Sequence, residues 1–258
     1  MRIAICQPTY LPWVGYFDLM DQVGAFVILD TVQFEKQSWQ QRNRVKTPAG
    51  LQWLTVPVVF RGRLGQKIQD VEIRDLEFGR KHLRAIELNY RRAPFFEKYY
   101  RGISSVLEEI RENDGTERLA VLNLRLLEWL AGILGISTPL ILASSLGVDG
   151  KRTELLANIC RRLGSTEYLS PVGSAVYLLA EIDILASAGI NVAFHNYDHP
   201  EYRQLFPPFL AFASVVDLVF NEGERSGEIM RSGRKIPLPP EKVAGAMIEA
   251  SSPRLTEN

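Results

Sequence analysis

Two short apolar runs near the start of the chain, with one helix between them, constrain the fold more than any other feature. Residues 2–6 have the pattern of a buried strand that Gln7-Pro8 ends, and Ala25–Asp30 is a continuous apolar run that ends on an acid. The residues from Trp13 to Val23 predict an apolar helix between these strands. A strand, a helix and a strand within about 30 residues form a βαβ unit, which requires parallel strands and a right-handed crossover.

The rest of the chain returns to this α/β pattern after an antiparallel segment. Two β-rich runs, 41–47 and 51–58, flank Pro48-Ala49-Gly50 and predict a hairpin, to which residues 67–73 add a third strand. The other predicted elements are helices at 78–90, 94–112 (ended by Asn113-Asp114-Gly115), 118–134, 153–163 and 180–188, and strands at 140–143, 168–169 and 190–194.

These elements predict one α/β domain over residues 1–236, with a parallel-sheet core. The domain contains an antiparallel hairpin insertion at about 37–74 and a helical segment at about 77–135. Residues 237–258 form a C-terminal tail, and we expect its last residues to be frayed.

The charge balance narrows the function classes. The chain has 258 residues, with 30 Lys and Arg against 30 Asp and Glu, so its formal net charge is zero. A neutral chain argues against a general nucleic-acid binder and against a polybasic membrane-surface protein. No run has the length of a secretory signal or a membrane span, so we expect a soluble cytoplasmic protein. Cys6 and Cys160 lie in apolar segments and predict buried free thiols.

The loop after the first predicted strand is dense in residues that bind ligands. It reads Gln7-Pro8-Thr9-Tyr10-Leu11-Pro12-Trp13-Val14-Gly15-Tyr16. Ligands of parallel α/β sheets bind beyond the carboxyl ends of the strands. We therefore expect Gln7, Tyr10, Trp13 and Tyr16 to form the floor of a nucleotide or sugar site. The alternative is that the aromatic rings only pack a tight turn.

Asp30 ends the second predicted strand and faces the same edge of the sheet. Its carboxylate is a candidate ligand for a metal, a ribose or an amine, and a candidate base. The alternative is a helix cap or a structural salt bridge.

The segment from Gln33 to Lys46 mixes cations, amides and a tryptophan. This composition suits an anionic ligand, because arginine holds phosphate or carboxylate in a bidentate geometry. A solvated hairpin face is the simpler explanation, and strand alternation separates Asn43 from Lys46. The candidate substrate-binding residues of this segment are Gln33, Trp39, Arg42, Asn43, Arg44 and Lys46.

Two of the three histidines follow the last predicted strand, in the run His195–Gln204. Because histidine titrates near neutral pH, His199 is a candidate catalytic acid or base, or else a loop residue bonded to backbone. Tyr202 and Gln204 are candidate substrate contacts in the same run. His82 lies on an amphipathic helix, where a polar surface residue is the simpler interpretation. No metal site is expected, since the further zinc ligands are missing.

Asp217 lies in an apolar run, and an acid in such a run needs a partner. The partner is either a substrate or a basic residue of the hairpin. Asn221 follows one helical turn later, in an Asn-Glu-Gly sequence typical of a helix end, and is a further candidate contact.

Taken in order, these motifs closely resemble the WbqC-like family of bacterial proteins over about residues 3–223. The chain departs from the family at Gln41, where asparagine is more usual, and at Ala213, where a small hydroxyl residue is common. The matching segments are Gln7-Pro8-x-Tyr10-Leu11-Pro12-Trp13-x-Gly15-Tyr16-Phe17, Phe26-Val27-x-Leu29-Asp30-x-Val32-Gln33-Phe34, Trp39-x-x-Arg42-Asn43-Arg44-x-Lys46-Thr47, Trp53-Leu54-Thr55-Val56-Pro57-Val58, Lys81-His82, Tyr90 with Ala93-Pro94, His199-Pro200-x-Tyr202-x-Gln204 and Asp217-Leu218-x-Phe220-Asn221-x-Gly223.

The resemblance implies a role in the synthesis of surface polysaccharide (O-antigen), and transfer of glycine or another aminoacyl group to a sugar has been suggested for the family. The order strand, proline loop, helix and strand also resembles the HxGH nucleotidyltransferases and pantothenate synthetases. That likeness implies a Rossmann-like or HUP-like core. Trp13 and Tyr16 stand where those proteins have two histidines, so His82 or His199 would have to supply the imidazole.

Two hypotheses follow. The first is a transferase that moves a small acyl or aminoacyl group onto an amino sugar, with Asp30, His199 or His82 handling the proton. Its cofactor stays open between ATP with Mg²⁺ and a sugar nucleotide, and an aminoacyl-tRNA that contacts residues 36–46 is a further donor. The alternative is a non-catalytic nucleotide- or sugar-binding accessory protein of the same pathway. The sequence leaves the oligomeric state open.

Overall fold

A computed structural model describes residues 1–112 and 118–251. The chain forms a five-stranded parallel sheet and a separate antiparallel hairpin. The strands are β1 (Arg2–Cys6), β2 (Ala25–Ile28), β3 (Arg42–Thr47), β4 (Gly50–Thr55), β5 (Leu140–Leu142), β6 (Glu167–Ser170) and β7 (Asn191–Phe194). The helices are α1 (Val14–Asp21), α2 (Phe78–Tyr90), α3 (Phe96–Glu112), α4 (Leu119–Ile133), α5 (Arg152–Arg162), α6 (Ala175–Leu178), α7 (Ile182–Ser187), α8 (Val215–Glu222), α9 (Ser226–Ser232) and α10 (Pro240–Ser251).

The parallel sheet has the strand order β5-β2-β1-β6-β7. The chain therefore builds outward from β1 in one direction, through β2 and β5, and later in the other direction, through β6 and β7. The point where the direction reverses lies between β1 and β6, which pair in parallel. In open α/β sheets this reversal leaves a crevice at the carboxyl ends of the two central strands. The α/β prediction with a parallel core is confirmed.

The central strands are apolar along their whole length because both faces of the sheet are covered. Ala4 and Cys6 of β1 belong to one hydrophobic core, together with residues of α1, α4 and α8. Ile3 and Ile5 belong to a second core with residues of α5 and α7. Alternate side chains of one strand thus face opposite cores, which explains why β1 and β2 show no polar alternation.

The predicted hairpin is confirmed, and it pairs from Arg42 with Thr55 to Thr47 with Gly50. The predicted third strand at 67–73 is wrong. Ile68–Asp70 is a 3₁₀ turn, and this segment forms isolated bridges, such as Val58 with Ile73, rather than a continuous strand. Its backbone amides at Ile68 and Gln69 donate to carbonyls of the loop after β2, so they are not available to extend the hairpin.

The C-terminal residues return to the sheet. Leu238 exchanges two backbone hydrogen bonds with Phe194 at the outer strand β7, and Val243 of α10 is buried in the second core. The predicted helix stop at residues 113–115 and the predicted frayed end beyond residue 251 lie outside the described residues. The division at residue 236 stays a prediction.

Three further features concern the described part of the chain. No helix there is both long and apolar enough to cross a membrane. No three histidine, cysteine or acidic side chains are grouped there as a metal site would need. Cys6 and Cys160 are both buried and free, as predicted.

Candidate functional site

A groove opens at the carboxyl edge of the parallel sheet and consists of two joined parts. The first part, of about 470 Å³, lies where β1 and β6 end, and we call it the switch-point crevice. The second part, of about 370 Å³, lies between α1 and the hairpin, and we call it the tryptophan cleft. Thr9, Tyr16 and Trp39 line both parts. The predicted location, beyond the end of the first strand, coincides with this groove.

The switch-point crevice has a nearly neutral lining. Glu35 is its single charged residue, and the aromatic rings of Tyr16, Tyr168 and Tyr177 form part of its wall. Gly173 leaves open space, because a Cβ there would meet no atom within 4 Å. The full lining is Ile5, Cys6, Gln7, Thr9, Tyr16, Leu29, Glu35, Ser38, Trp39, Gln40, Leu156, Tyr168, Pro171, Gly173, Ser174 and Tyr177.

Gln7 and Tyr16 are held in place at the floor of the crevice. The Tyr16 hydroxyl donates to the Gln7 carbonyl over 3.0 Å, and the Gln40 side-chain amide donates to Gln7 Oε1 over 2.8 Å. Burial raises the pKa of the Cys6 thiol to about 12, so this thiol is protonated and a poor nucleophile near neutral pH. Apart from the Glu35 carboxylate, the polar contacts that a ligand finds here are therefore amides and hydroxyls.

The tryptophan cleft depends on a close approach in the first turn of α1. The Trp13 ring covers Gly15, where a Cβ would lie only 2.1 Å from a ring carbon. The ring of Phe212 packs on Trp13 with centroids 5.3 Å apart, and both rings line the cleft. Asn43 and Arg44 of β3 line the same cleft. Arg44 is therefore the cation available to an anionic group in the groove.

The hairpin supplies further aromatic and cationic side chains beside the cleft. Trp39 and Trp53 pack with ring centroids 5.3 Å apart, and both are more than two-fifths exposed. The guanidinium of Arg42 lies 4.3 Å above Trp53, and that of Arg44 lies 5.4 Å from the same ring. Arg42 does not line the groove, although it is two residues from Arg44 on the same face of β3. Gln33 is exposed, and it pairs with Lys67 outside the groove.

His199 lies one side-chain layer behind the tryptophan cleft. Its ring stacks on Trp13 at 6.0 Å and meets Phe212 at 5.3 Å, centroid to centroid. Burial lowers its pKa, so the ring is neutral near pH 7. Because the Pro200 carbonyl can only accept, Nδ1 carries the proton and donates to it over 2.9 Å. Nε2 therefore has a free lone pair, and it is buried without a partner among the described residues.

Asp30 is not brought to the groove. Its carboxylate is buried and accepts two hydrogen bonds from Ser144, from the backbone amide over 2.9 Å and from the hydroxyl over 2.6 Å. The Ser144 residue follows β5, so Asp30 fixes the turn at the end of that strand. This contact is structural, but it is not the salt bridge considered for Asp30, because Ser144 carries no charge; a ligand or base role for Asp30 stays a prediction.

The surface position expected for His82 is wrong. The side chain is buried between α2 and the loop after β1, and its Nδ1 lies 2.8 Å from the Tyr10 hydroxyl. Burial lowers the pKa of His82 to about 4, with a hydrogen bond to the Thr55 backbone acting in the opposite direction. A neutral ring that donates to the Thr55 carbonyl accepts from Tyr10. Tyr10 and His82 therefore join the sheet loop, α2 and the hairpin beneath the groove.

Asp217 anchors the loop that carries His199 and Phe212. Its Oδ2 accepts from the Tyr202 hydroxyl over 2.8 Å and from the Gln204 amide over 2.9 Å. Burial raises the pKa of Asp217, while the hydrogen bonds and the charge of Lys46 act in the opposite direction. Lys46 is buried, and its Nζ donates to the Pro208 carbonyl over 2.9 Å.

Asn221 completes this anchor from within α8. Its Nδ2 donates to the Asp217 carbonyl over 2.7 Å, and its side chain is buried. Five of the predicted substrate-binding residues thus form one buried to half-buried cluster that lines neither part of the groove. They are Lys46, Tyr202, Gln204, Asp217 and Asn221.

Sequence reasoning missed two groups. The first is the end of β6, where Tyr168, Ser174 and Tyr177 line the crevice. The strand at 168–169 was predicted, so the rule that ligands bind at carboxyl strand ends was a sufficient signal. The second group is a buried network on α1. Asp18 contacts His195 Nε2 at 2.8 Å and accepts from Arg234 Nε over 2.9 Å.

Comparisons with known proteins agree with the order of the motifs. Residues 7–229 match the WbqC-like protein family. The chain is 37% identical over 236 residues to the uncharacterized protein Rv1507c of Mycobacterium tuberculosis, a match that covers 91% of this chain and 99% of that protein. No solved structure matches the chain.

Proposed function

This chain belongs to the WbqC-like protein family, and on that premise we propose that it is a group transferase with two adjacent substrate sites. The reaction is transfer of a small acyl or aminoacyl group, such as glycine, onto an amino sugar during surface-polysaccharide synthesis. We expect it to take place in the cytoplasm. The observation that supports the proposal is the junction of the crevice and the cleft at Thr9, Tyr16 and Trp39.

The difference in charge between the two parts supports a proposed orientation of the substrates. The anionic end of a donor or acceptor, a phosphate or a carboxylate, binds Arg44 in the tryptophan cleft, where a guanidinium forms bidentate hydrogen bonds. The nucleoside or amino sugar lies in the switch-point crevice, against the tyrosine rings and beside Glu35. A sugar nucleotide meets this distribution of charge. ATP with Mg²⁺ is the other candidate.

The chemistry needs a proton acceptor and a stabilised oxyanion. The sugar amine attacks the activated carbonyl carbon, loses its proton to a base, and the collapse of the tetrahedral intermediate expels the leaving group. Glu35 is the carboxylate that lines the groove, and the neutral His199 lies directly behind Trp13. The Asn43 side chain, whose Oδ1 accepts from the Arg44 amide over 2.8 Å, offers its Nδ2 to the oxyanion.

A thermal-shift screen against ATP with Mg²⁺, UDP-sugars and glycine, singly and in pairs, tests the proposal. A ligand at 100 times its Kd stabilises the folded protein by about 2.7 kcal/mol. Gly173→Leu fills the crevice, and Arg44→Gln removes the cation, so each variant should lose at least half of the shift. Gly132→Leu, at an exposed glycine with equally open surroundings, is the matched control. If no nucleotide shifts the wild type, or if both variants retain the full shift, the proposal fails.

One observation favours a second candidate, a binding protein without turnover. None of Asp30, His82 and His199, the predicted catalytic residues, lines the groove. An accessory protein that delivers a nucleotide or a sugar needs the binding surface and no base. Product analysis by mass spectrometry after long incubation with the ligand pair distinguishes the two, because only a transferase consumes both ligands. Loss of turnover in Glu35→Gln with retained binding would assign the base.

A further inference from the structure

The neutral net charge of the chain conceals a strongly basic segment. Residues 37–74 contain seven Lys and Arg against two Asp and Glu, a net charge of +5, while the whole chain is neutral. Both acids of this segment are already paired, Asp70 with Arg118 and Glu72 with Arg63. The segment therefore presents uncompensated positive charge to the solvent.

The tip of this segment is a pair of consecutive tight turns at residues 60–66. The Arg63 amide donates to the Phe60 carbonyl, and the Gln66 amide donates to the Arg63 carbonyl. Gly62 and Gly65 occupy the third positions of these turns with φ of +78° and +77°, the value that a type II turn demands and that glycine adopts without strain. The second positions, which point away from the protein, belong to Arg61 and Leu64.

Residues 60–67 therefore form a tip that is both apolar and cationic. Leu64 is completely exposed, and Phe60 is two-fifths exposed, with the Lys36 ammonium 3.9 Å from its ring centroid. Arg61 and Lys67 are exposed and form no ion pair within residues 1–112 and 118–251. A leucine side chain that stays wholly in water adds nothing to the stability of the fold. An amphiphilic partner would cover this leucine and neutralise the neighbouring cations.

We propose that this tip, residues 60–67, docks on an anionic lipid surface. Leu64 and Phe60 enter the boundary between headgroups and acyl chains, and Arg61, Lys67 and Lys36 bind lipid phosphates, the combination by which peripheral proteins attach to membranes. Single-stranded RNA also binds basic and aromatic surfaces. It offers Leu64 no apolar environment, so the lipid surface is favoured.

The tip lies beside the groove but is not part of it. The Phe34 amide donates to the Gln66 carbonyl, so the turns rest against the chain that leads to Glu35 and Trp39 at the groove. Docking would place the mouth of the groove near the bilayer. The proposal does not depend on what the groove binds, because none of the residues 60–67 lines it.

Vesicle co-sedimentation of the full chain tests the docking. The probes are vesicles of phosphatidylglycerol mixed with phosphatidylcholine, and vesicles of phosphatidylcholine alone. We expect the protein to sediment with the former and not with the latter. Arg61→Gln with Lys67→Gln should weaken binding about fivefold for each charge removed, and Leu64→Ser about tenfold.

Matched controls separate docking from general effects. Ile236→Ser removes another highly exposed aliphatic side chain, outside the tip. Arg92→Gln with Lys151→Gln removes two exposed charges elsewhere on the surface. Both controls should bind as the wild type does. The proposal is overturned if phosphatidylglycerol vesicles do not bind the wild type, or if Leu64→Ser binds them undiminished, as a purely electrostatic polyanion site would. A nucleotide-induced thermal shift that persists in Leu64→Ser shows that the groove is intact whichever result is obtained.

Discussion

The sheet wall of the groove, at the ends of β1 and β6, stands on buried strands, whereas the hairpin wall stands on two strands that form no bond to the sheet. The sheet wall is neutral apart from Glu35, and the hairpin wall contributes Arg44 and the exposed Trp39. The location of the groove and the positive charge of its lining therefore come from different regions of the chain. The topology places the crevice, and the insertion supplies the cation of the groove. Under the proposed function, the insertion would therefore select the charge of the ligand.

The largest expected effect concerns the buried Asp18 network, which ties α1 to the residue that follows β7. Asp18→Ala leaves His195 without its carboxylate partner and Arg234 with Asp21 alone. Removing one member of a buried, hydrogen-bonded charge network costs about 3–5 kcal/mol. Urea denaturation measures the free energy of unfolding. Glu167→Gln, which breaks a surface pair with Arg2, is the control and should cost less than about 1 kcal/mol. Equal losses in the two variants would contradict a special role for Asp18.

The contact between Tyr10 and His82, which joins the two walls beneath the groove, should become less stable in acid. Folded His82 has a pKa of about 4, below the 6.5 of an unfolded histidine, so the unfolded chain binds the proton first. The contribution of neutral His82 to the free energy of unfolding is complete above about pH 6.5. It is lost as the pH falls toward 4, by at most about 3 kcal/mol.

Denaturation of the wild type and of His82→Gln across this range provides the measurement. The variant should be less stable at neutral pH and should lose less stability on acidification. Identical slopes of stability against pH in the two proteins would show that the proton is bound elsewhere.

A smaller effect tests the contact at the entrance to the tryptophan cleft. Gly15→Ala places a methyl group against the Trp13 ring, and overpacking of this kind costs about 1–3 kcal/mol. In a Trp13→Ala background the same change should cost nothing, or stabilise by up to about 1 kcal/mol through helix propensity. A double-mutant cycle measured by thermal denaturation gives the coupling between the two residues. Additive effects would mean that the ring does not cover Gly15 in solution.

The strands and helices could be predicted because their signals are local. The apolar run that marks β1 or β2, and the apolar spacing that marks α2, are each formed by residues that are neighbours in the sequence. The predicted bounds of α2, 78–90, coincide with the observed helix. The burial of His82 was also within reach. It lies four residues after Phe78 and four before Ile86, in the middle of the buried stripe of α2.

The rest of the site depends on contacts between distant parts of the chain. Asp18 meets His195 and Arg234 across separations of 177 and 216 residues, which no local pattern reports. Asp217 was predicted to need a partner, either a substrate or a basic residue of the hairpin, and the pattern did not indicate Tyr202 and Gln204, which donate to it. Residues 42–46 showed a basic strand, and only the tertiary packing separates Arg44 in the cleft from the buried Lys46.

The return of the chain to the outer strand has a consequence for colloidal behaviour. An edge strand presents unpaired amides and carbonyls on which a second molecule can add a strand. At β7 the Phe194 amide and carbonyl are both bonded to Leu238, over 2.7 and 2.8 Å. The chain thus occupies with its own backbone the place where another copy would begin to pair. The segment after residue 236 therefore blocks strand addition at Phe194, with two backbone hydrogen bonds and no particular side chain.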